Sequence, residues 1–181
     1  EPFLGAGSMF FYIKQKYNPK YCEISDINKD LINTFKAVRD KPEELIKYLR
    51  YFKRKNSEKY YYFLRKRFNQ GKIIGLKRAA TFIYLNKTCY NGLYRVNSKN
   101  EFNVPYGNYE NRKIYNPKDV LLANKLLQGV IIKKQDYWEI LKYLREGDLD
   151  YLDPSYDPLK KTSFAQYTPD KFSLEDRGKR S

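Results

Sequence analysis

The residues best suited to chemistry are four that follow an apolar run, Asp153-Pro154-Ser155-Tyr156. A carboxylate and the carbonyl of a proline can each accept one hydrogen of a planar amino group, and an aromatic side chain can stack on the ring that carries the group. An amino nitrogen held in this way directs its lone pair at an electrophile. The chemistry indicated is nucleophilic attack by a conjugated amine through Asp153, Pro154 and Tyr156. It requires no histidine, and the chain contains none.

A second group with chemical potential is the glycine-containing segment at residues 1–8. Gly5 and Gly7 follow Phe3 closely, and two nearby glycines let the backbone approach a bound cofactor. Apolar residues between Ser8 and Lys16 then recur at helical spacing, which predicts a helix leaving the glycine turn.

An acidic residue follows at the distance that such a loop requires. Residues 21–25 read as a strand, and Asp26 ends it 19 positions after Gly7. In dinucleotide-binding folds an acid about 20 residues beyond the glycines accepts a hydrogen bond from a ribose hydroxyl. The position of Asp26 therefore predicts a ribose contact, with the N-cap of the next helix as the alternative.

A block rich in Asn, Gly, Tyr and Arg spans residues 85–109 and shows little helical periodicity. Arg95 can bind guanine through two hydrogen bonds, Leu93 can contact a thymine methyl group, and Asn91 or Asn97 can address an adenine edge. The alternative is an ordinary hairpin whose turn is Asn91-Gly92.

Hydrophobic periodicity predicts the helices and strands that must position these residues. Between positions 40 and 87 the pattern predicts three helices, one beginning near Pro42, one capped by Ser57, and one over residues 76–87. On the third of them, Lys72, Lys77 and Arg78 are expected to face solvent with the other polar residues.

The later part of the chain returns to alternating strands and helices. A helix is predicted from Pro117 to a C-cap at Gly129, followed by a buried strand at residues 130–132. Asp136 after that strand could accept the amino group of a cofactor adenine or cap the next helix. A last strand at residues 148–152 would place Asp153 at the carboxyl edge of the sheet, where open parallel sheets bind ligands.

Composition favours a polyanionic partner. The formal net charge is +15, and 19 Tyr and 11 Phe are interleaved with 36 Lys and Arg. The codon bias of an AT-rich genome would also enrich Lys, Asn, Ile and Tyr. Two cysteines and no histidine argue against a structural zinc site, a serine-histidine triad and a disulfide scaffold. No apolar run reaches the roughly 18 residues of a membrane span, so we expect a soluble protein. The cysteine content is typical of a reduced cytoplasm, and we expect a bacterial or phage-encoded cytoplasmic protein that needs no metal.

These motifs together resemble the Dam-type DNA adenine methyltransferases that mark GATC. The segments that carry the resemblance, in chain order, are Glu1-Pro2-Phe3-Leu4-Gly5-Ala6-Gly7-Ser8, Ser25-Asp26-Ile27-Asn28, Tyr84-Leu85-Asn86, Tyr90-Asn91-Gly92-Leu93, Glu101-Phe102-Asn103-Val104-Pro105 and Asp153-Pro154-Ser155-Tyr156. The middle segments are more diagnostic than either end. The order is also typical of the family, with the cofactor loop before the recognition insert and the catalytic motif last.

The resemblance implies an α/β fold: a Rossmann-like, S-adenosylmethionine-dependent methyltransferase sheet with a mainly helical DNA-recognition insert. Residues 1–40 and 115–181 would form the cofactor-binding and catalytic domain, with strands missing at both ends, and residues 41–114 the insert. The cofactor S-adenosylmethionine would contact Phe3, Gly5, Gly7, Asp26, Asp136 and Asp153. A monomer would act on double-stranded DNA, which would be read or flanked by Tyr90, Asn91, Leu93, Arg95, Asn97 and Tyr109.

Two alternatives remain open from the sequence. Ser155 stands where the family has a second proline, and an incomplete sheet together with this change would also suit a catalytically dead DNA-binding fragment. A methyltransferase acting on RNA or on a protein glutamine would share the acid-proline-aromatic motif. The block at residues 90–109 favours DNA over both of these acceptors.

Overall fold

The computed structural model describes residues 1–109 and 113–154, so Ser155 and Tyr156 of the predicted catalytic motif lie outside the described residues. The described part is a mixed α/β structure. Its strands are β1 (Glu23–Asp26) and β2 (Ile131–Lys134). Its helices are α1 (Ser8–Tyr17), α2 (Lys29–Asp40), α3 (Pro42–Lys55), α4 (Glu58–Asn69), α5 (Gly75–Thr88), α6 (Pro117–Leu127) and α7 (Tyr137–Leu141).

The two strands pair in parallel, as the alternation of strands and helices predicts. The register places Glu23 opposite Ile131 and Asp26 opposite Lys134. Residues 1–4 run along the other edge of β1, where the Ser25 amide donates to the Glu1 carbonyl at 2.9 Å and the Leu4 amide donates to the Ser25 carbonyl at 3.1 Å. Both hydrogen-bonding edges of β1 are therefore occupied.

The strand predicted at residues 148–152 is wrong. Within the described part of the chain these residues belong to no strand. A turn precedes them, in which the Asp148 amide donates to the Arg145 carbonyl and the Arg145 amide donates to the Asp148 carboxylate. Because β1 is paired on both sides, the run cannot join the sheet next to it, and Leu149 is left largely exposed.

A small apolar core holds the sheet against α1, α2 and α6. It is formed by buried residues from the first loop, both strands and these helices, namely Leu4, Phe10, Ile24, Ile32, Phe35, Leu127, Val130 and Ile132. Burial of these side chains fixes the glycine loop against the end of β1, because Leu4 lies inside the same core.

The predicted helices of the insert are confirmed. Pro42 occupies the first turn of α3, and the Ser57 hydroxyl accepts the Tyr60 amide at 3.2 Å, capping α4. A second, larger core joins α3, α4 and α5 around fully buried Leu49, Phe52 and Tyr61.

Arg78 contradicts the expectation that it faces solvent. Its guanidinium forms a two-point ion pair with Asp30, with Nε–Oδ1 at 2.5 Å and Nη2–Oδ2 at 2.8 Å. It also donates to the Phe68 carbonyl at 2.9 Å and lies 4.0 Å from the Phe68 ring centroid. The acid is on α2 and the base on α5, so this pair joins the insert to the helix that follows Asp26. Periodicity alone could not anticipate a partner 48 residues away.

In the described ranges, no helix combines the length and apolar character that crossing a membrane requires. The same residues contain no cluster of three or more Cys, Asp or Glu placed to bind a metal ion.

Candidate active site

The glycine loop turns sharply between residues 4 and 8, as predicted. Gly5 and Gly7 both have positive φ, and the Gly7 amide donates to the Leu4 carbonyl at 2.7 Å. A Cβ atom on Gly7 would lie 3.1 Å from Cζ of Phe35, so both its backbone conformation and its packing favour glycine. Phe3 packs against Tyr137 with ring centroids 5.1 Å apart. The loop is thus held in shape by packing against Phe35 of α2 and Tyr137 of α7.

Asp26 lies at the carboxyl end of β1, where the sequence predicts a ribose contact. Its carboxylate accepts the Asn28 amide at 2.8 Å and the Gly5 amide at 3.3 Å, which ties the acid to the glycine loop. The N-cap of α2 is Asn28, so the alternative that Asp26 caps this helix is wrong. Burial raises the pKa of Asp26 above its usual value, and the two amide hydrogen bonds oppose that rise.

Asp136 is the N-cap of α7, and its carboxylate accepts the Trp138 amide at 3.2 Å. The capping alternative is therefore confirmed, and a contact with the cofactor adenine stays a prediction. Asp136 follows β2, whose end is parallel to the end of β1, so both acids lie at one edge of the sheet.

The predicted catalytic acid, Asp153, is near the end of the described chain. The Asp153 carboxylate is exposed and close enough to Glu1 to act on it electrostatically, although the two are at opposite ends of the described chain. The Glu1 carboxylate accepts the Phe10 amide in the first turn of α1 at 2.8 Å. Burial raises the pKa of Glu1 and the negative charge of Asp153 adds to the rise, whereas the Phe10 hydrogen bond opposes it. Pro154 is half-buried at the end of the described residues.

Four predicted recognition residues form an exposed patch after α5. Tyr90 is 53% exposed, Leu93 42% and Tyr109 36%. The Tyr109 hydroxyl accepts the Asn91 amide at 2.8 Å and donates to the Asn91 side-chain oxygen at 3.2 Å, which joins the two halves of the block. We call Tyr90, Asn91, Leu93 and Tyr109 the recognition patch.

The alternative that Asn91-Gly92 forms the turn of a hairpin is wrong, because the hairpin in this block turns further along the chain. Asn91 and Gly92 form a tight turn directly after α5, whereas Val96 pairs with Phe102 across the hairpin. The Asn97 side-chain oxygen accepts the amides of Lys99 and Glu101 at 3.0 and 2.9 Å, so Asn97 shapes the hairpin turn.

Arg95 is half-buried on the same hairpin, and its Nε donates to the Asn103 side-chain oxygen at 2.8 Å. The guanidinium is therefore held beside the recognition patch by a residue of the opposite hairpin arm. The predicted base-reading roles of Arg95 and Asn97 stay predictions.

Helix α4 holds the returning arm of the hairpin with residues that our sequence analysis did not single out. Tyr61 and Arg65 both donate to the Val104 carbonyl, at 2.8 and 2.7 Å, and Asn69 exchanges two hydrogen bonds of 3.0 Å with the Phe102 backbone. The three residues are four positions apart, so they lie on one face of the helix. That spacing is a signal that was present in the sequence.

Tyr94 connects the hairpin to the loop between β1 and α2. Its ring packs on Phe82 and Phe102, and its hydroxyl lies beside the Asn28 side chain, with Asp26 and Asp30 nearby. Burial raises the pKa of Tyr94, which keeps the hydroxyl neutral. Tyr94, which stands between Leu93 and Arg95, thus contacts the loop that follows Asp26.

A glycine loop joined to an acid at the carboxyl end of a parallel strand, followed later in the chain by an acid-proline motif, is typical of methyltransferases. The chain belongs to the D12 class of N6 adenine-specific DNA methyltransferases, whose family model matches residues 1–180.

Curated relatives agree with this family. The chain is 43% identical to the Type II methyltransferase M.MjaIII of Methanocaldococcus jannaschii, over 98% of this chain and 65% of that protein. It is 41% identical to the Type II methyltransferase M1.LlaDCHI of Lactococcus lactis subsp. cremoris, over 98% and 63%. It is 34% identical to the DNA adenine methylase of Escherichia coli (strain K12), over 98% and 63%. The chain therefore spans slightly less than two thirds of the length of these relatives.

Proposed function

We propose that the protein transfers a methyl group from S-adenosylmethionine to the exocyclic amino nitrogen of an adenine in double-stranded DNA, with GATC as its target. The observation that carries this proposal is the match of residues 1–180 to a family of N6 adenine-specific DNA methyltransferases, in a chain whose Asp26 carboxylate accepts the Gly5 amide of the glycine loop. The resemblance of residues 90–109 to GATC-reading relatives supports the target sequence. We further propose a Rossmann-like sheet for the whole protein and a monomer as the active species.

The residues at the edge of the sheet fit the proposed cofactor. The Asp26 carboxylate is half-buried beside Gly5 and can accept a ribose hydroxyl, as the glycine loop leaves room for the backbone to approach a ligand. S-adenosylmethionine is cationic and supplies an electrophilic methyl group on sulfur.

The chain's own residues would activate the nucleophile. The lone pair of adenine's amino nitrogen is delocalised into the ring, so the free base is a poor nucleophile. The Asp153 carboxylate and the Pro154 carbonyl would each accept an amino hydrogen and direct the lone pair out of the ring plane. As the nitrogen–carbon bond forms and the carbon–sulfur bond breaks, Asp153 would receive the released proton.

The target base must leave the duplex to reach Asp153, at a cost of a few kcal/mol. Stacking of Tyr156 on the flipped ring would offset about 1–3 kcal/mol of this cost. The recognition patch, with Arg95 beside it, would contact the neighbouring bases in the major groove.

Two measurements test this function in the complete gene product that carries the sequence. Calorimetric titration with S-adenosylmethionine should give saturable heat, which a non-catalytic DNA-binding protein would lack. Methyl acceptance by duplex DNA, RNA and glutamine-containing protein should then show label on duplex DNA alone. Label on RNA or protein in place of DNA would refute the proposal.

A further inference from the structure

A cluster of four cations lies at the junction of α3 and α4. Lys53, Arg54 and Lys55 form the last turn of α3, and Lys59 follows in the first turn of α4. All four are exposed, and in the portion of the chain that is described none of them forms an ion pair with a carboxylate. We call these four residues the junction cations.

The junction cations lie next to the recognition patch because one residue between the helices is fixed to the hairpin. The Asn56 side chain donates to the Tyr106 hydroxyl at 3.2 Å and accepts the Tyr84 hydroxyl at 2.8 Å. Tyr106 pairs with Cys89, the residue before Tyr90, and is followed by Gly107. The junction therefore borders the segment that carries the patch.

Stabilisation of α3 does not account for this charge. A helix C-terminus carries the equivalent of about half a negative charge, and a cation there contributes roughly 0.3–1 kcal/mol. Three cations exceed that requirement. The adjoining α4 begins with a positive helix end, which repels Lys59, and Glu58 is the one carboxylate within residues 53–59.

We propose that the junction cations bind the phosphates of the DNA backbone immediately outside the sequence that the recognition patch reads. This inference rests on the proposed function and adds a second, sequence-independent part to its DNA interface. Each phosphate contact releases a condensed counterion, so the junction should determine how steeply DNA affinity falls with salt.

The test compares two triple variants of the complete gene product by measuring DNA affinity over a series of salt concentrations. The junction variant carries Lys53→Gln, Arg54→Gln and Lys55→Gln. The control carries Lys41→Gln, Lys118→Gln and Lys125→Gln, which removes three exposed charges elsewhere. Lys41 is at the opposite end of α3, and the other two are on α6.

A plot of log affinity against log salt concentration should become less steep in the junction variant, by about 0.9 for each phosphate contact removed. The slope of the control should not change. The loss should be equal on duplexes with and without the target sequence, and the turnover number at saturating DNA should be unchanged. Exchange of Lys53 and Lys55 for Arg should retain the slope, because the charges remain.

Duplex length locates the contact. Shortening a duplex to the target site alone should weaken binding by the unsubstituted protein and by the control, whereas the junction variant should show little length dependence. An unchanged slope in a junction variant that still methylates DNA would overturn this inference alone. Absence of methyl transfer by the unsubstituted protein would instead refute the proposed function.

Discussion

At the scale of single residues, Glu1 and Asp153 differ in how far their carboxylates are engaged. Glu1 is held by the Phe10 amide in the first turn of α1, whereas the Asp153 carboxylate is exposed. The two acids therefore have different tasks in our account. Glu1 stabilises the loop, and Asp153 is accessible to an incoming amino group.

We predict that Asp153→Asn lowers the turnover number for DNA methylation by at least about 100-fold, the cost of removing one preorganised polar contact from a reacting group. The amide keeps the shape of the carboxylate but lacks its charge. Cofactor affinity, measured by calorimetry, should fall far less than the turnover number, because Asp26 and the glycine loop remain to bind the cofactor. Methylation by this variant at a rate close to that of the unsubstituted protein would contradict the catalytic role.

The close packing around Gly107 leaves no room for a side chain. A Cβ atom there would overlap the Tyr109 ring and lie 2.8 Å from the Cys89 carbonyl oxygen. The close approach of Gly107 lets the Tyr109 hydroxyl reach Asn91. A glycine in this segment thus fixes the geometry of the recognition patch.

We predict that Gly107→Ala destabilises the fold by about 1–3 kcal/mol through overpacking and displaces Tyr109. Discrimination between the target and its single-base variants should fall, with cofactor affinity unchanged. Competition methylation assays measure this effect. Ser98→Ala, an exposed change on the same hairpin, is the control and should leave discrimination intact. Equal discrimination by both variants would show that the Tyr109 position is not important.

At the scale of helices and strands, the Asp30–Arg78 ion pair connects parts of the chain that are far apart in the sequence. The two side chains are 17% and 24% exposed, and the pair joins α2 to α5. Removing one partner leaves a partly buried charge with no counterion.

Arg78→Met should therefore lower the free energy of unfolding by about 2 kcal/mol, less than for a fully buried pair because solvent screens part of the charge. Urea denaturation measures this difference. Lys142→Gln removes one partner of the exposed pair with Glu139 and should cost no more than about 0.5 kcal/mol. Similar losses in the two variants would contradict a special role for the interhelical pair.

Glu23 joins the two strands to the segment after α7. Its side chain is 8% exposed and accepts hydrogen bonds from Lys133, Gln135 and Tyr143, at 3.0, 2.9 and 2.6 Å. Burial alone would raise the pKa of Glu23, but these three hydrogen bonds outweigh it and the pKa lies below its ordinary value of 4.5.

This lowered pKa predicts a dependence of stability on pH. The folded state binds a proton less readily than the unfolded state, so the contribution of Glu23 is complete above pH 4.5 and is lost as the pH falls through the lower, folded pKa. Glu23→Gln should cost on the order of 2 kcal/mol at neutral pH, and the difference from the unsubstituted protein should shrink in acid. A difference that is constant from pH 7 to pH 3 would contradict this account.

The helices could be predicted from the sequence because their signals are local. Pro42, Ser57 and Asn116 mark helix starts that the structure confirms, and apolar periodicity continues through each helix. The run before Asp153 carries the same local signal as a strand, but a strand also needs a partner, and β1 is not available to it. Residues 1–4 and β2 occupy both edges of β1, which no local pattern reveals.

The site could be predicted only as separate pieces. The motifs identify Asp26 and Asp153, whereas the contacts that join the pieces involve residues far apart in the sequence, such as Arg65 with Val104 and Tyr109 with Asn91. Asn97 and Asp136 have backbone amides as partners, and a motif does not distinguish this use from ligand binding.

At the scale of the whole molecule, our proposal assigns sequence-specific DNA recognition and sequence-independent DNA attraction to different parts of the protein. The recognition patch would read bases, the sheet edge would hold the cofactor, and the net charge of +15 would attract the duplex independently of sequence. The hairpin lies between these parts, because Tyr94 faces the Asn28 loop while Leu93 faces outward.

The most direct test of the central claim is transfer of tritiated methyl groups from S-adenosylmethionine to unmethylated duplex DNA by the complete gene product. One duplex contains GATC, and a second has the same composition with that site scrambled. Our account predicts label on the GATC duplex alone, located on the adenine amino nitrogen. Label on both duplexes would contradict the proposed target sequence, and the absence of label from both would contradict the methyltransferase assignment of this protein.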